Sequence, residues 1–165
     1  MRLHRIIDSP VGELTLAGDG SALSGVYFAE HVRRPADEHL GPRDQGSFAA
    51  AADQLAEYFA GDRRSFDLAL EPRGNAFQQK VWAQLTLIPY GETRTYGQLA
   101  AAVGGPGLAR AVGAANGQNP LSIIVPCHRV VGSDGKLTGY AGGLERKAFL
   151  LDLEAAPADK AARLF

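Results

Sequence analysis

A chain of 165 residues, 45% hydrophobic and 21% charged, has room for one core or two small ones, and none of its apolar runs is long enough to span a membrane. The net charge of -1 is unevenly spread: residues 1–70 carry 7 Arg against 11 Asp or Glu, while residues 71–165 carry 10 Lys or Arg against 7 acids, so the C-terminal part is mildly basic. A single cysteine excludes an internal disulfide and a multi-thiolate metal site; with no apolar leader at the N-terminus, it suits a reducing, cytoplasmic setting.

The first elements read as short strands over 3–7, 13–17 and 23–28, separated by turn signals at 8–12 and 18–20, which predicts a β-meander. Residues 29–46 are rich in charge, Pro and Gly without periodicity and read as a loop. Leu55, Tyr58 and Phe59 recur at helical spacing within 48–59, after a candidate cap at Ser47 and before the stop at Gly61. Phe66, Leu68 and Leu70 alternate, predicting one more strand over 65–70. The break at 71–75 divides the chain into a small N-terminal α/β unit, 1–74, and a mainly helical unit, 75–165, giving an α+β protein.

Beyond the break, Phe77, Val81, Trp82, Leu85 and Ile88 define one face of a helix that starts after Asn75 and ends at Pro89-Tyr90-Gly91, with Trp82 in the core. Residues 96–103 form a helical pattern capped by Thr95. A turn over 104–107 and a second helix over 108–117 complete the layout of a helix-turn-helix. That second helix is built from small residues, Ala109, Ala111, Gly113, Ala114 and Ala115, with Arg110 as its one long cationic side chain. Such a surface either packs tightly against a neighbour or presses into the minor groove of DNA while one arginine projects.

The lone cysteine, Cys127, follows the apolar run 121–125 and precedes His128 and Arg129. It is either an inert core residue or a nucleophile. As a nucleophile it needs a base, because an ordinary thiol is only slightly ionised at neutral pH. On an extended backbone Cys127 and His128 point to opposite faces, so contact between them requires a turn or a bridging water. Glu145, Asp152 and Glu154 are the carboxylates that could orient the imidazole, and spacing does not choose among them. A Cys-dependent hydrolase would need a distant histidine, and His4, His31 and His39 sit in no recognisable signature. Val130 and Val131, a turn over 132–135 and residues 136–140 read as a hairpin, followed by the pliant Ala141-Gly142-Gly143. A closing amphipathic helix runs over 144–153 through Leu144, Phe149, Leu150 and Leu153, with 155–165 as a peripheral tail.

Pro126-Cys127-His128-Arg129-Val130, preceded by Arg110-Ala111-Val112-Gly113 and Asn119-Pro120 and followed by Tyr140 and Gly142-Gly143, resembles the O6-alkylguanine-DNA alkyltransferase family over roughly 77–154. The resemblance implies direct-reversal repair, in which Cys127 irreversibly takes the alkyl group from O6-alkylguanine, or from O4-alkylthymine, in duplex DNA. It implies that His128, through a water, and Glu154 generate the thiolate. Arg110 fills the space of a flipped nucleotide, with Ala109, Ala111 and Gly113 on the DNA-facing helix. Tyr96 crowds the adjacent phosphate and donates to the base. Asn119 holds the turn before the active-site segment, and Val130, Tyr140 and Ala141 line the pocket. No cofactor is implied, and a chain with no N-terminal cysteine is expected to lack the zinc site of some relatives. A monomer is expected, with cooperative binding along DNA left open, as is a non-catalytic DNA-binding module. Many relatives carry serine at the position of Ala141.

Overall fold

The computed structural model describes residues 2–30, 35 and 37–155. Strands β1 (Leu3–Ile7), β2 (Leu14–Gly18) and β3 (Leu23–Phe28) form the expected antiparallel meander in the order β1-β2-β3. Leu3 pairs with Gly18 and Leu14 with Phe28, and the register shifts at Ala17/Gly18. Every residue of β2 and β3 is buried, because helix α2 and the C-terminal half of the chain pack against the sheet. Within the predicted loop a four-residue helix, α1 (Asp37–Leu40), places Leu40 beside Ala17 and Tyr27.

Helix α2 (Ala49–Phe59) stands where its periodicity predicts, but Ser47 is not its cap. The N-cap is Phe48, in the left-handed region at φ 58°, and no side chain caps the helix. Ser47 instead donates its backbone N–H to Asp44 O at 3.2 Å. The strand expected over 65–70 is absent. Leu70 makes one isolated parallel bridge to Leu23, with Leu23 N donating to Ala69 O (2.9 Å) and Glu71 N to Leu23 O (2.8 Å). Alternating side chains suffice to dock Phe66 and Leu68 on the core without a ladder.

Helices α3 (Ala76–Leu85) and α4 (Tyr96–Val103) both open on capping boxes, Asn75 with Gln78 and Thr95 with Gln98, in which each N-cap side chain and N3 side chain satisfy the other's backbone N–H. A 3-10 turn (Pro106–Leu108) leads into α5 (Ala109–Gly117), completing the helix-turn-helix layout. Strand β5 (Val130–Val131) does not form the predicted hairpin. It pairs in parallel with β4 (Arg94–Thr95), and residues 136–140 carry no strand. Helix α6 (Leu144–Glu154) ends the described chain apart from Ala155; the rest of the expected tail lies outside the described residues.

One hydrophobic cluster runs from Leu14, Val26 and Phe28 through Leu55 and Tyr58 to Val81, Trp82, Val112, Leu121 and Leu150. Trp82 is in this core as predicted, and its indole N–H is satisfied by Ala115 O at 2.8 Å. The two halves also share backbone bonds: Val26 N donates to Pro120 O at 2.8 Å. Among the described residues no helix is long and apolar enough to cross a membrane.

Candidate active site and nucleic-acid interface

The segment between α5 and Cys127 is held by Asn119. Its Nδ2 donates to Val125 O (2.8 Å) and its Oδ1 accepts from Leu121 N (3.0 Å), so one side chain spans a tight turn. Within that turn Ile123 has φ 74°, a conformation a β-branched residue adopts only when its surroundings force it. The turn delivers Cys127 into a 3-10 helix (Cys127–Arg129) rather than the extended backbone assumed from sequence. A 3-10 turn no longer throws consecutive side chains to opposite faces, and Cys127, His128 and Arg129 are all buried.

Of the three candidate carboxylates, Glu154 is the one that meets the histidine. His128 Nε2 lies 2.7 Å from Glu154 Oε2. Arg129 grips the same carboxylate with Nε to Oε1 (2.7 Å) and Nη2 to Oε2 (3.1 Å), and its Nη1 donates to Ile88 O at 2.6 Å. Glu145 and Asp152 are exposed. Burial opposes ionisation of Glu154, but the hydrogen bonds and charges of His128 and Arg129 prevail and hold its carboxyl down at about 2. Burial likewise pushes the His128 imidazole below its ordinary value, against the pull of Glu154. The pair therefore rests as a carboxylate and a neutral imidazole. Because the ionised carboxylate has no proton to give, Nε2 carries the hydrogen and Nδ1 keeps a free lone pair. That Nδ1 is buried and has no hydrogen-bond partner among the described residues.

Burial pushes the Cys127 thiol up, with the Asn119 amide, the Lys147 charge and the Tyr140 hydroxyl pulling the other way. The resting sulfur is thus protonated at neutral pH and needs a base to react. Lys147 is itself fully buried. Its Nζ donates to Thr138 O (2.7 Å) and Gly139 O (3.3 Å), and burial lowers it to about 8. The Tyr140 ring packs edge-on against Phe28, with centroids 5.7 Å apart, and its hydroxyl near Cys127 and Ser122 makes no hydrogen bond of ordinary geometry. Val130 is fully buried and Ala141 half-buried.

Besides Arg129, three participants escaped the sequence reading. Lys147, Leu150, Leu151 and Glu154 are the buried residues of α6, a stripe at i, i+3, i+4 and i+7, whereas Leu144 and Phe149 from the predicted face are exposed. A lysine and a glutamate bracketing two leucines at that spacing were the available signal for inward charges. Asn116, whose Nδ2 lies 3.4 Å from Cys127 O, and Tyr58, whose hydroxyl donates to Glu154 Oε2 at 2.5 Å, left no signal of their pairing. Among the described residues no group of three or more His, Cys, Asp or Glu could hold a metal ion.

The outer face of α5 is different in kind. Arg110, Ala111 and Ala114 are exposed, Ala109 and Gly113 half-buried, and Val112, Ala115 and Asn116 turn inward. Tyr96, at the start of α4, is half-buried; a Cβ on Gly113 would lie 3.8 Å from its ring, and its hydroxyl donates to Thr138 O at 3.2 Å. Arginine, small residues and an aromatic thus share one surface.

Comparison with known proteins agrees in both halves. The family profile of the 6-O-methylguanine DNA methyltransferase ribonuclease-like domain matches residues 3–72, and that of the DNA binding domain of the same methyltransferase matches 76–156. A methylated-DNA-protein-cysteine methyltransferase of Mycobacterium tuberculosis is 57% identical over 158 residues, covering 94% of this chain and 95% of the relative. One from Methanosarcina acetivorans is 50% identical, covering 92% and 97%. A crystal structure of the Mycobacterium tuberculosis protein OGT in complex with DNA superposes with a TM-score of 0.89 at 57% identity, covering 95% and 96% of the two chains. With this likeness along nearly its whole length, the chain belongs to the 6-O-methylguanine DNA methyltransferase family.

Proposed function

We propose that this protein repairs DNA by direct reversal, as a single-use methylated-DNA-protein-cysteine methyltransferase acting on O6-alkylguanine in duplex DNA. The observation that carries the reading is Cys127 set in a buried turn beside His128, whose Nε2 is fixed 2.7 Å from the ionised Glu154 and whose Nδ1 is left free. His128, through a bridging water, takes the thiol proton, and Glu154 stabilises the imidazolium. The thiolate attacks the alkyl carbon; the sulfur–carbon bond forms as the bond to O6 breaks, its electron pair leaving with the guanine. The Tyr96 hydroxyl turns from Thr138 O to hydrogen-bond the departing base, which takes up one proton from solvent, while the imidazolium returns the thiol's proton to solvent, so the protons balance. The product is a thioether with no leaving group and no second cysteine, so each molecule acts once.

The target carbon is inaccessible within stacked bases, so the nucleotide is extruded. Arg110 fills the vacated space, while Ala109, Ala111 and Gly113 allow close approach of α5 to the minor groove. Val130, Tyr140 and Ala141 line the pocket, and Asn119 keeps the 121–126 turn in place. On this reading 1–74 and 75–165 are the two domains, and the protein works as a cytoplasmic monomer.

Intact-mass measurement after incubation with an O6-methylguanine duplex tests the reading. A gain of one methyl group on Cys127, with total turnover equal to the burst, is expected. Cys127→Ser should abolish transfer and retain DNA binding; an unlabelled wild-type protein that is folded and DNA-bound would leave only a binding module, and repeated turnover would mean a hydrolase.

A further inference from the structure

Tyr58 belongs to α2 in the N-terminal half, yet its hydroxyl donates to Glu154 Oε2 at 2.5 Å, across 96 positions of sequence. Its side chain is fully buried. The ring is fixed by Phe59 (centroids 5.2 Å apart), Phe66 (5.5 Å) and Tyr90 (6.3 Å), so the place of the hydroxyl is set by packing outside the cysteine segment. Arg129 grips both oxygens of Glu154 in a fork, and Tyr58 and His128 then approach the same oxygen, Oε2. A carboxylate offers about four acceptor sites, so this one is close to saturated. Burial and the facing Glu154 charge keep the phenol protonated, so toward the ionised carboxylate it is the donor.

We propose that Tyr58 is a positioning residue for alkyl transfer: the N-terminal half supplies a fixed donor that holds Oε2 against His128 Nε2–H, keeping the imidazole in the tautomer that leaves Nδ1 free. The proposal rests on the relay assigned above to His128 and Glu154. It also gives the meander-and-helix half of the chain a part in the chemistry, beyond its share of the common core.

The test compares Tyr58→Phe with Glu154→Gln in single-turnover transfer from an O6-methylguanine duplex, with nitrogen-15 NMR of the His128 ring. Tyr58→Phe keeps the ring packing; loss of one charge-assisted hydrogen bond should slow transfer about tenfold. DNA affinity should be unchanged, and the single Nε2–H tautomer should give way to a mixture. If Glu154→Gln is slow while Tyr58→Phe keeps wild-type rate and tautomer, the relay stands and the role of Tyr58 is overturned. A slow Tyr58→Phe with an unaltered tautomer would make Tyr58 merely structural. If Glu154→Gln transfers at the wild-type rate, the relay fails and this proposal with it. A measurement on the wild type guards against a variant that does not fold: the Tyr58 hydroxyl proton should exchange slowly and show a cross-relaxation peak to His128 Nε2–H, and absence of that peak overturns the proposal.

Discussion

The cysteine centre and the outer face of α5 answer opposite physical demands. Around Cys127 the charged neighbours are buried and tied: Glu154 is gripped by Arg129, His128 and Tyr58, and Lys147 by two carbonyls. On α5 the functional candidates are a bare arginine and small side chains with room about them. The first region couples chemistry to folding, because Asn119, Lys147, Arg129 and Glu154 each also satisfy a buried partner. The second is separable from stability, since a surface meant to meet another molecule leaves its groups unspent. Substitutions in the two regions should therefore differ in kind.

The largest effect should come from Glu154→Gln. It leaves Arg129 buried without its counter-charge, which should destabilise the protein by about 3–5 kcal/mol in chemical denaturation. The same change should alter the acid limb of stability. The folded-state pKa of Glu154 is lowered from the ordinary 4.5 to about 2, so its ionised form contributes fully above pH 4.5, and that contribution fades as the pH falls toward 2. Denaturation midpoints measured across that window should fall more steeply for the wild type than for Glu154→Gln; parallel curves would detach the carboxylate from folding.

A pair of identical substitutions sharpens the contrast. At Gly142 a Cβ would sit 2.5 Å from the Phe28 ring, which is itself confined by the Tyr140 edge and by the Arg146 guanidinium 5.4 Å from its centroid. Gly142→Ala should cost about 1–3 kcal/mol through overpacking where the two halves meet. At Gly113 the same methyl would meet only the Tyr96 ring, at 3.8 Å, an ordinary contact within a helix. Gly113→Ala should leave stability within about 0.5 kcal/mol or raise it slightly, and show its effect in DNA affinity instead. Equal thermal shifts for the two would erase the distinction.

The same division explains what the sequence could tell. The meander, the capped helices α3 and α4 and the small-residue α5 are written in local signals: alternation, Asn75 and Thr95 at N-caps, glycines in turns. The strand over 65–70 and the 130–140 hairpin failed because pairing is decided by distant partners: Leu70 found only Leu23, and β5 found β4. Cys127 and His128 stood out by adjacency and by family resemblance, and the choice of Glu154 over Glu145 and Asp152 came from that resemblance alone. The structure reaches the same carboxylate by a route that spacing does not reveal, through Arg129 in the turn and Tyr58 from the other half. Lys147 was legible in principle; reading the stripe from Leu144 rather than from residue 147 hid it.

The smallest effect on the fold, and the cleanest on recognition, should come from Arg110→Ala. Arg110 is exposed, so its loss should leave stability within about 0.5 kcal/mol. Loss of a single cationic contact should reduce the salt dependence of DNA binding by about one unit of slope. Transfer needs more than binding, since unstacking a base has to be offset in a duplex but not in a free O6-alkylguanine. The variant should therefore slow transfer from duplex about tenfold while reacting with the free base at the wild-type rate. A ratio of the two rates equal to that of the wild type would confine Arg110 to phosphate contact, and another group would then have to hold the stack open.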